Sequence, residues 1–110
     1  MSNFKKSKSE NERITESSKI IERYPDRIPI IVEKDKKCKI KDIDKNKFLV
    51  PNDMTLGQFM YVIRKRIKLD STEALFFFVN NVLCNNTQTL GEIYKKYKDK
   101  DGFLYILYTS

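Results

Sequence analysis

An α+β fold is predicted: two strands, a helix, two more strands, a short helix and a last strand, behind a helical N-terminal extension. Three observations carry that expectation. Two short strand-like runs, residues 28–33 and 47–50, each have a proline beside or within them. Leu56, Phe59, Met60, Ile63 and Ile67 then recur at i, i+3, i+4, i+7 spacing, the stripe of an amphipathic helix. Residues 75–79 are apolar throughout, and Gly102 precedes a final alternating run.

Taken in order, residues 1–9 are polar and rich in Lys and Ser and are expected to be a flexible arm. Residues 10–24 form a helical extension, with Ile14, Ile21 and the Ile20/Tyr24 pair near one stripe, stopped by Pro25. The remaining domain, 25–110, opens with the strand 28–33, whose Pro29 implies one free edge. A charged loop, 34–46, holds Cys38, Ile40 and Ile43; strand 47–50 follows and Pro51 ends it. Asp53 and Thr55 are N-cap candidates for the amphipathic helix, and Arg64-Lys65-Arg66 suits the negative end of its dipole. Residues 75–79 read as a central strand buried on both faces. Asn80-Asn81 turns the chain into a short return strand, 82–84. Leu90, Ile93, Tyr94 and Tyr97 mark a second short helix, and 103–108 the last strand. This is the ubiquitin-like β-grasp order.

Composition narrows the function. A chain of 110 residues suits one small domain. No apolar run approaches a membrane span, and the N-terminus has no apolar leader, so a cytosolic protein is expected. With no histidine and three scattered glycines, a histidine-based triad, a histidine-ligated zinc and a Gly-rich phosphate loop are all excluded. Cys38 and Cys84 lack a nearby base and a metal-like spacing. No catalytic residues, cofactor or metal are therefore expected. The net charge of +7 is uneven: residues 1–50 carry 14 basic and 9 acidic side chains, residues 51–110 carry 8 and 6. That balance favours acidic partners. Nucleic acid is not among those expected, because exposed aromatics do not interleave with Lys5, Lys6, Lys8, Arg13 and the Arg64-Lys65-Arg66 cluster. The basic set is instead read as a solvated face with some attraction to anionic membrane or tubulin-like acidic surfaces.

Four separated segments carry a resemblance: Tyr24-Pro25-Asp26-Arg27-Ile28-Pro29-Ile30-Ile31-Val32-Glu33-Lys34, Lys47-Phe48-Leu49-Val50-Pro51, Leu75-Phe76-Phe77-Phe78-Val79-Asn80-Asn81 and Asp101-Gly102-Phe103-Leu104-Tyr105-Ile106. They resemble, over about residues 13–109, the autophagy ubiquitin-like modifiers, the family of GABARAP and the microtubule-associated light chains. The resemblance implies an adaptor that binds Trp/Phe/Tyr-x-x-Leu/Ile/Val motifs by adding the partner's extended segment to the strand 47–50. It implies an aromatic-anchor pocket lined by Glu16, Ile20, Pro29, Ile31, Lys47, Leu49 and Phe103. An aliphatic-anchor pocket would be lined by Phe48, Val50, Pro51, Met54, Phe59, Val62 and Ile63. Arg27, Lys45, Lys47 and Arg66 would meet acidic residues around the motif. A secondary docking site is implied on Phe76, Phe77 and Phe78, with Phe77 or a neighbour facing outward.

The same resemblance implies processing by a protease, transfer by activating and conjugating enzymes, and attachment of a C-terminal glycine to phosphatidylethanolamine on autophagosomal or other vesicle membrane. That glycine is missing after Ser110, where the family continues into a short acidic-aromatic tail. Two explanations compete: a chain cut back before the tail, which the typical upstream sequence favours, and a member that never conjugates. Ser9-Glu10-Asn11-Glu12 replaces an aromatic-basic cluster of the family, Met54 stands where Leu is common, and Cys84-Asn85-Asn86 where prolines are common. The alternative reading is an unconjugated ubiquitin-like or microtubule-associated scaffold module.

Overall fold

A computed structural model describes residues 2–110. Its elements are α1 (Asn3–Ser7), α2 (Glu10–Arg23), β1 (Arg27–Lys34), β2 (Lys47–Pro51), α3 (Leu56–Arg66), β3 (Phe76–Val79), β4 (Val82–Leu83), α4 (Leu90–Tyr97) and β5 (Leu104–Thr109). The five strands form one mixed sheet in the order β2-β1-β5-β3-β4, with β1 and β5 parallel and the other pairs antiparallel. The β-grasp expectation holds.

Helix starts are set by local chemistry. Ser9, Thr55 and Thr89 each cap the amide three residues on, while Glu12, Gln58 and Glu92 reach back to the cap's own N–H. Each reciprocal pair satisfies two donors that a helix end otherwise leaves without partners. Thr55, not Asp53, is thus the cap of α3. The stripe of α3 falls as its periodicity predicts: Leu56, Phe59 and Ile63 are buried with Ile67 in one apolar cluster. That cluster joins α3 and α4 to one face of the sheet through Ile28, Ile30, Val32, Phe48, Val50, Phe77, Val79, Leu104, Ile106 and Tyr108.

Four expectations need correction. The 1–9 arm contains the helix α1, because Phe4, 3% exposed, buries its ring against Ile31 and Phe103. In α2 the buried residues are Arg13 and Ser17; Ile14, Ile20 and Ile21 are half-buried, and Tyr24 is exposed at the C-cap. Strand β1 is interior, between β2 and β5. Pro29 is tolerated because pairing with β5 begins only at Ile30↔Leu104, so its missing N–H faces no partner strand. Finally, β3 is not buried on both faces. Phe77 (1% exposed) and Val79 enter the core, whereas Phe76 (43%) and Phe78 point to the other side, where nothing covers Phe76 fully. The apolar run is a half-buried strand whose outward positions are also aromatic.

Candidate functional site

Strand β2 is the sheet's outer strand on one side, so one line of its backbone N–H and C=O groups faces no other strand. Its side chains alternate. Phe48 and Val50 are buried in the α3-side core, and Lys47 and Leu49 are half-buried. The register places Lys47 opposite Ile31 and Leu49 opposite Pro29 on β1, on the face covered by α1 and α2. The candidate pockets therefore flank one edge on opposite faces. This matches the geometry of an added strand, in which side chains three positions apart point to opposite faces. An aromatic at i and an aliphatic at i+3 would each meet one pocket.

On the α1/α2 face, Ile31 and Phe103 form a fully buried floor, with Ile20 packed at its margin. Sequence reasoning missed Phe4. Its ring meets Phe103 edge-on at 5.2 Å between centroids, and the Lys47 ammonium lies 5.2 Å from the Phe4 centroid. Its only sequence signal was an aromatic isolated in a polar arm. Glu16 sits between two lysines, Lys47 Nζ at 2.8 Å and Lys8 Nζ at 2.7 Å. Partial burial alone would raise the Glu16 carboxyl, but hydrogen bonds and charge from Lys47 and Lys8 outweigh it and hold it below the usual glutamate range. Lys8 too was outside the expected set.

On the α3 face, Phe48 stacks edge-on against Phe59 at 5.5 Å. Phe48, Val50, Phe59 and Ile63 are core residues that form the floor here. Met54 packs against that cluster half-buried, and Pro51 and Val62 are exposed at the rim. Lys45 Nζ lies 5.0 Å from the Phe48 ring centroid and the Arg66 guanidinium 5.9 Å. Arg66 also pairs with Asp44 at 2.9 Å. Arg27 is exposed beside Tyr24, 6.0 Å from its ring. The four expected cations thus border the β2 side of the domain. Phe76 and Phe78 lie away from this edge, and Phe77 is excluded from any docking role by burial.

A β-grasp sheet with two helices added before its first strand, and one long edge left open between an apolar and an ion-paired flank, defines a ubiquitin-like protein. Residues 12–110 match the family described as "Autophagy protein Atg8 ubiquitin like". Two Arabidopsis thaliana relatives agree: Autophagy-related protein 8a is 53% identical over 109 residues (99% of this chain, 89% of that protein), and Autophagy-related protein 8e is 52% identical over 107 (97% and 88%). The crystal structure of Trypanosoma brucei ATG8 superposes with a TM-score of 0.94 at 44% identity, over 99% of this chain and 94% of that one. The chain belongs to the Atg8 family of autophagy ubiquitin-like proteins.

Proposed function

We propose that this protein is an autophagy modifier and adaptor whose β2 edge captures receptor segments bearing a Trp/Phe/Tyr-x-x-Leu/Ile/Val motif. The single observation that carries the reading is the open edge of β2 with candidate anchor sites on opposite faces. Edge hydrogen bonds would set register at about 1 kcal/mol each, and each buried anchor would add roughly 1.5–3 kcal/mol. After association costs a micromolar affinity, near −8 kcal/mol, is expected. Lys47, Lys45, Arg66 and Arg27 would favour acidic residues flanking the motif.

Family membership supports the rest of the reading. A processing protease would expose a glycine beyond Ser110, activating and conjugating enzymes would pass it to phosphatidylethanolamine, and the protein would move from the cytoplasm to autophagosomal or other vesicle membrane. No helix among the described residues is long and apolar enough to cross a membrane by itself.

Calorimetric titration of a Trp-x-x-Leu peptide tests the groove. Leu49→Ala and Lys47→Ala should each weaken binding about tenfold or more, some 1.4 kcal/mol; unchanged affinity in both removes the assignment. Conjugation is tested by the intact mass of the endogenous C-terminal peptide from membrane and soluble fractions. A glycine-ended peptide carrying a phospholipid supports it. An unmodified end in both fractions leaves a motif-binding adaptor without a lipid.

A further inference from the structure

The turn between α4 and β5 ties both N-terminal helices to the sheet. Asp101 lies at its centre, 1% exposed. Its carboxylate accepts from Arg13 Nη1 of α2 at 2.8 Å, from the Tyr105 hydroxyl and from the Phe103 amide at 2.9 Å. Its carbonyl accepts from the Ser17 hydroxyl, one turn along α2. Two residues earlier, Asp99 takes Lys5 Nζ of α1 at 2.6 Å and the Asp101 amide at 3.1 Å. Gly102 has φ +89, and a Cβ there would collide with Ser17 Oγ, so α2 seats directly on this backbone.

These are the polar groups that α2 buries. A helix with only half-buried isoleucines has little apolar drive to choose one seat on the sheet, whereas a single charge-assisted bond from Arg13 Nη1 to a buried carboxylate is directional. One turn beyond Arg13 and Ser17 come Glu16 and Ile20, the α2 contribution to the aromatic-anchor side; the turn itself leads straight into Phe103, its floor. The aliphatic side receives nothing from this network, because Phe48, Val50, Phe59 and Ile63 are held by the main core.

We infer that Asp101, through Arg13 and Ser17, is the positioning residue of the aromatic-anchor half of the groove, setting the distance between the α2 wall and the Phe103 floor. This rests on the groove reading above. A buried ion pair is weak support for stability as such but well suited to fixing one arrangement among several.

The test compares a Trp-x-x-Leu with an Ala-x-x-Leu peptide on full-length wild type, Asp101→Asn and Ser17→Ala, by calorimetry at matched folded fraction. Wild type should prefer the Trp peptide by at least about tenfold. Asp101→Asn should reduce that preference to about threefold or less while leaving the Ala peptide's affinity unchanged, and Ser17→Ala should lower it by about half. General destabilisation would weaken both peptides alike and keep their ratio, and that result overturns the inference, as does an unaltered preference in both variants. Should Asp101→Asn not fold, the Ser17→Ala ratio decides. If wild type itself shows no preference between the peptides, it is the groove reading that fails.

Discussion

The two faces of the sheet are covered by opposite chemistries. On one, α3 and α4 contribute a stripe of Leu56, Phe59, Ile63, Leu90 and Ile93 to a single large apolar cluster. On the other, α1 and α2 are held by a three-residue apolar patch of Phe4, Ile31 and Phe103, supplemented by Lys5–Asp99, Lys8–Glu16, Lys47–Glu16 and Arg13–Asp101. The first covering is non-directional and gains its free energy from area removed from water. The second is directional and salt- and pH-sensitive. Because the two buried clusters share no residues, the α1/α2 face is expected to open at lower cost than the α3-side core.

The largest expected effect would break the strong face. Phe59→Ala removes a fully buried ring that meets both Phe48 and Phe77, and should cost about 3–5 kcal/mol in urea unfolding. Phe4→Ala sharpens the contrast: its cost should be smaller, about 2 kcal/mol, and confined to α1 and α2. Hydrogen exchange would then accelerate in residues 3–23 and stay unchanged in α3; equal acceleration in both would mean that the faces are one cooperative unit.

Acid should separate the faces more gently. Burial alone would raise the Asp99 carboxyl, but Lys5 holds it below the usual aspartate range, as Lys47 and Lys8 do for Glu16. Folded-state values below the unfolded ones mean that this stability is fully present above about pH 4.5 and is lost as pH falls through the depressed values. Each partly exposed pair is worth at most about 1 kcal/mol. Protection in α1 and α2 is expected to fall as pH drops below about 4.5, before that in α3 does. The smallest effect belongs to the uncovered aromatic: Phe76→Ser, at a 43% exposed position, should stay within about 0.5 kcal/mol of wild type by thermal unfolding.

This asymmetry also explains what the sequence made legible. The α3 face could be read because apolar residues at helical spacing imply a buried stripe; its core residues fell where expected, and its cap, Thr55, was one of two candidates. The seat of α2 could not, because Arg13 and Ser17 look like solvent residues until the buried Asp101, 84 or more positions away, is brought to them. Phe4 was hidden by its polar neighbours. For β3 the difficulty was the reverse: Phe76, Phe77 and Phe78 are equally apolar, and the chain alone does not say which side another element will cover. For the candidate groove, the resemblance proposed the β2 residues and two flanks, and strand alternation sets those residues on opposite faces, whereas Lys8, Phe4 and the turn that carries Phe103 came only from the three-dimensional arrangement.

The unequal lengths of the two outer strands have one more consequence. At the far side of the sheet β4 is only two residues long, Val82–Leu83, and offers too little backbone to template another strand. β2, at five residues, is the longer of the sheet's two outer strands among the described residues. On the proposed groove reading, strand addition would be monovalent, and two β2 edges that met would close into a pair rather than grow into a filament. On that reading, any many-handed grip on a partner would come from crowding separate copies on a shared surface, and the number of hands would be set by that surface's density, not by the protein.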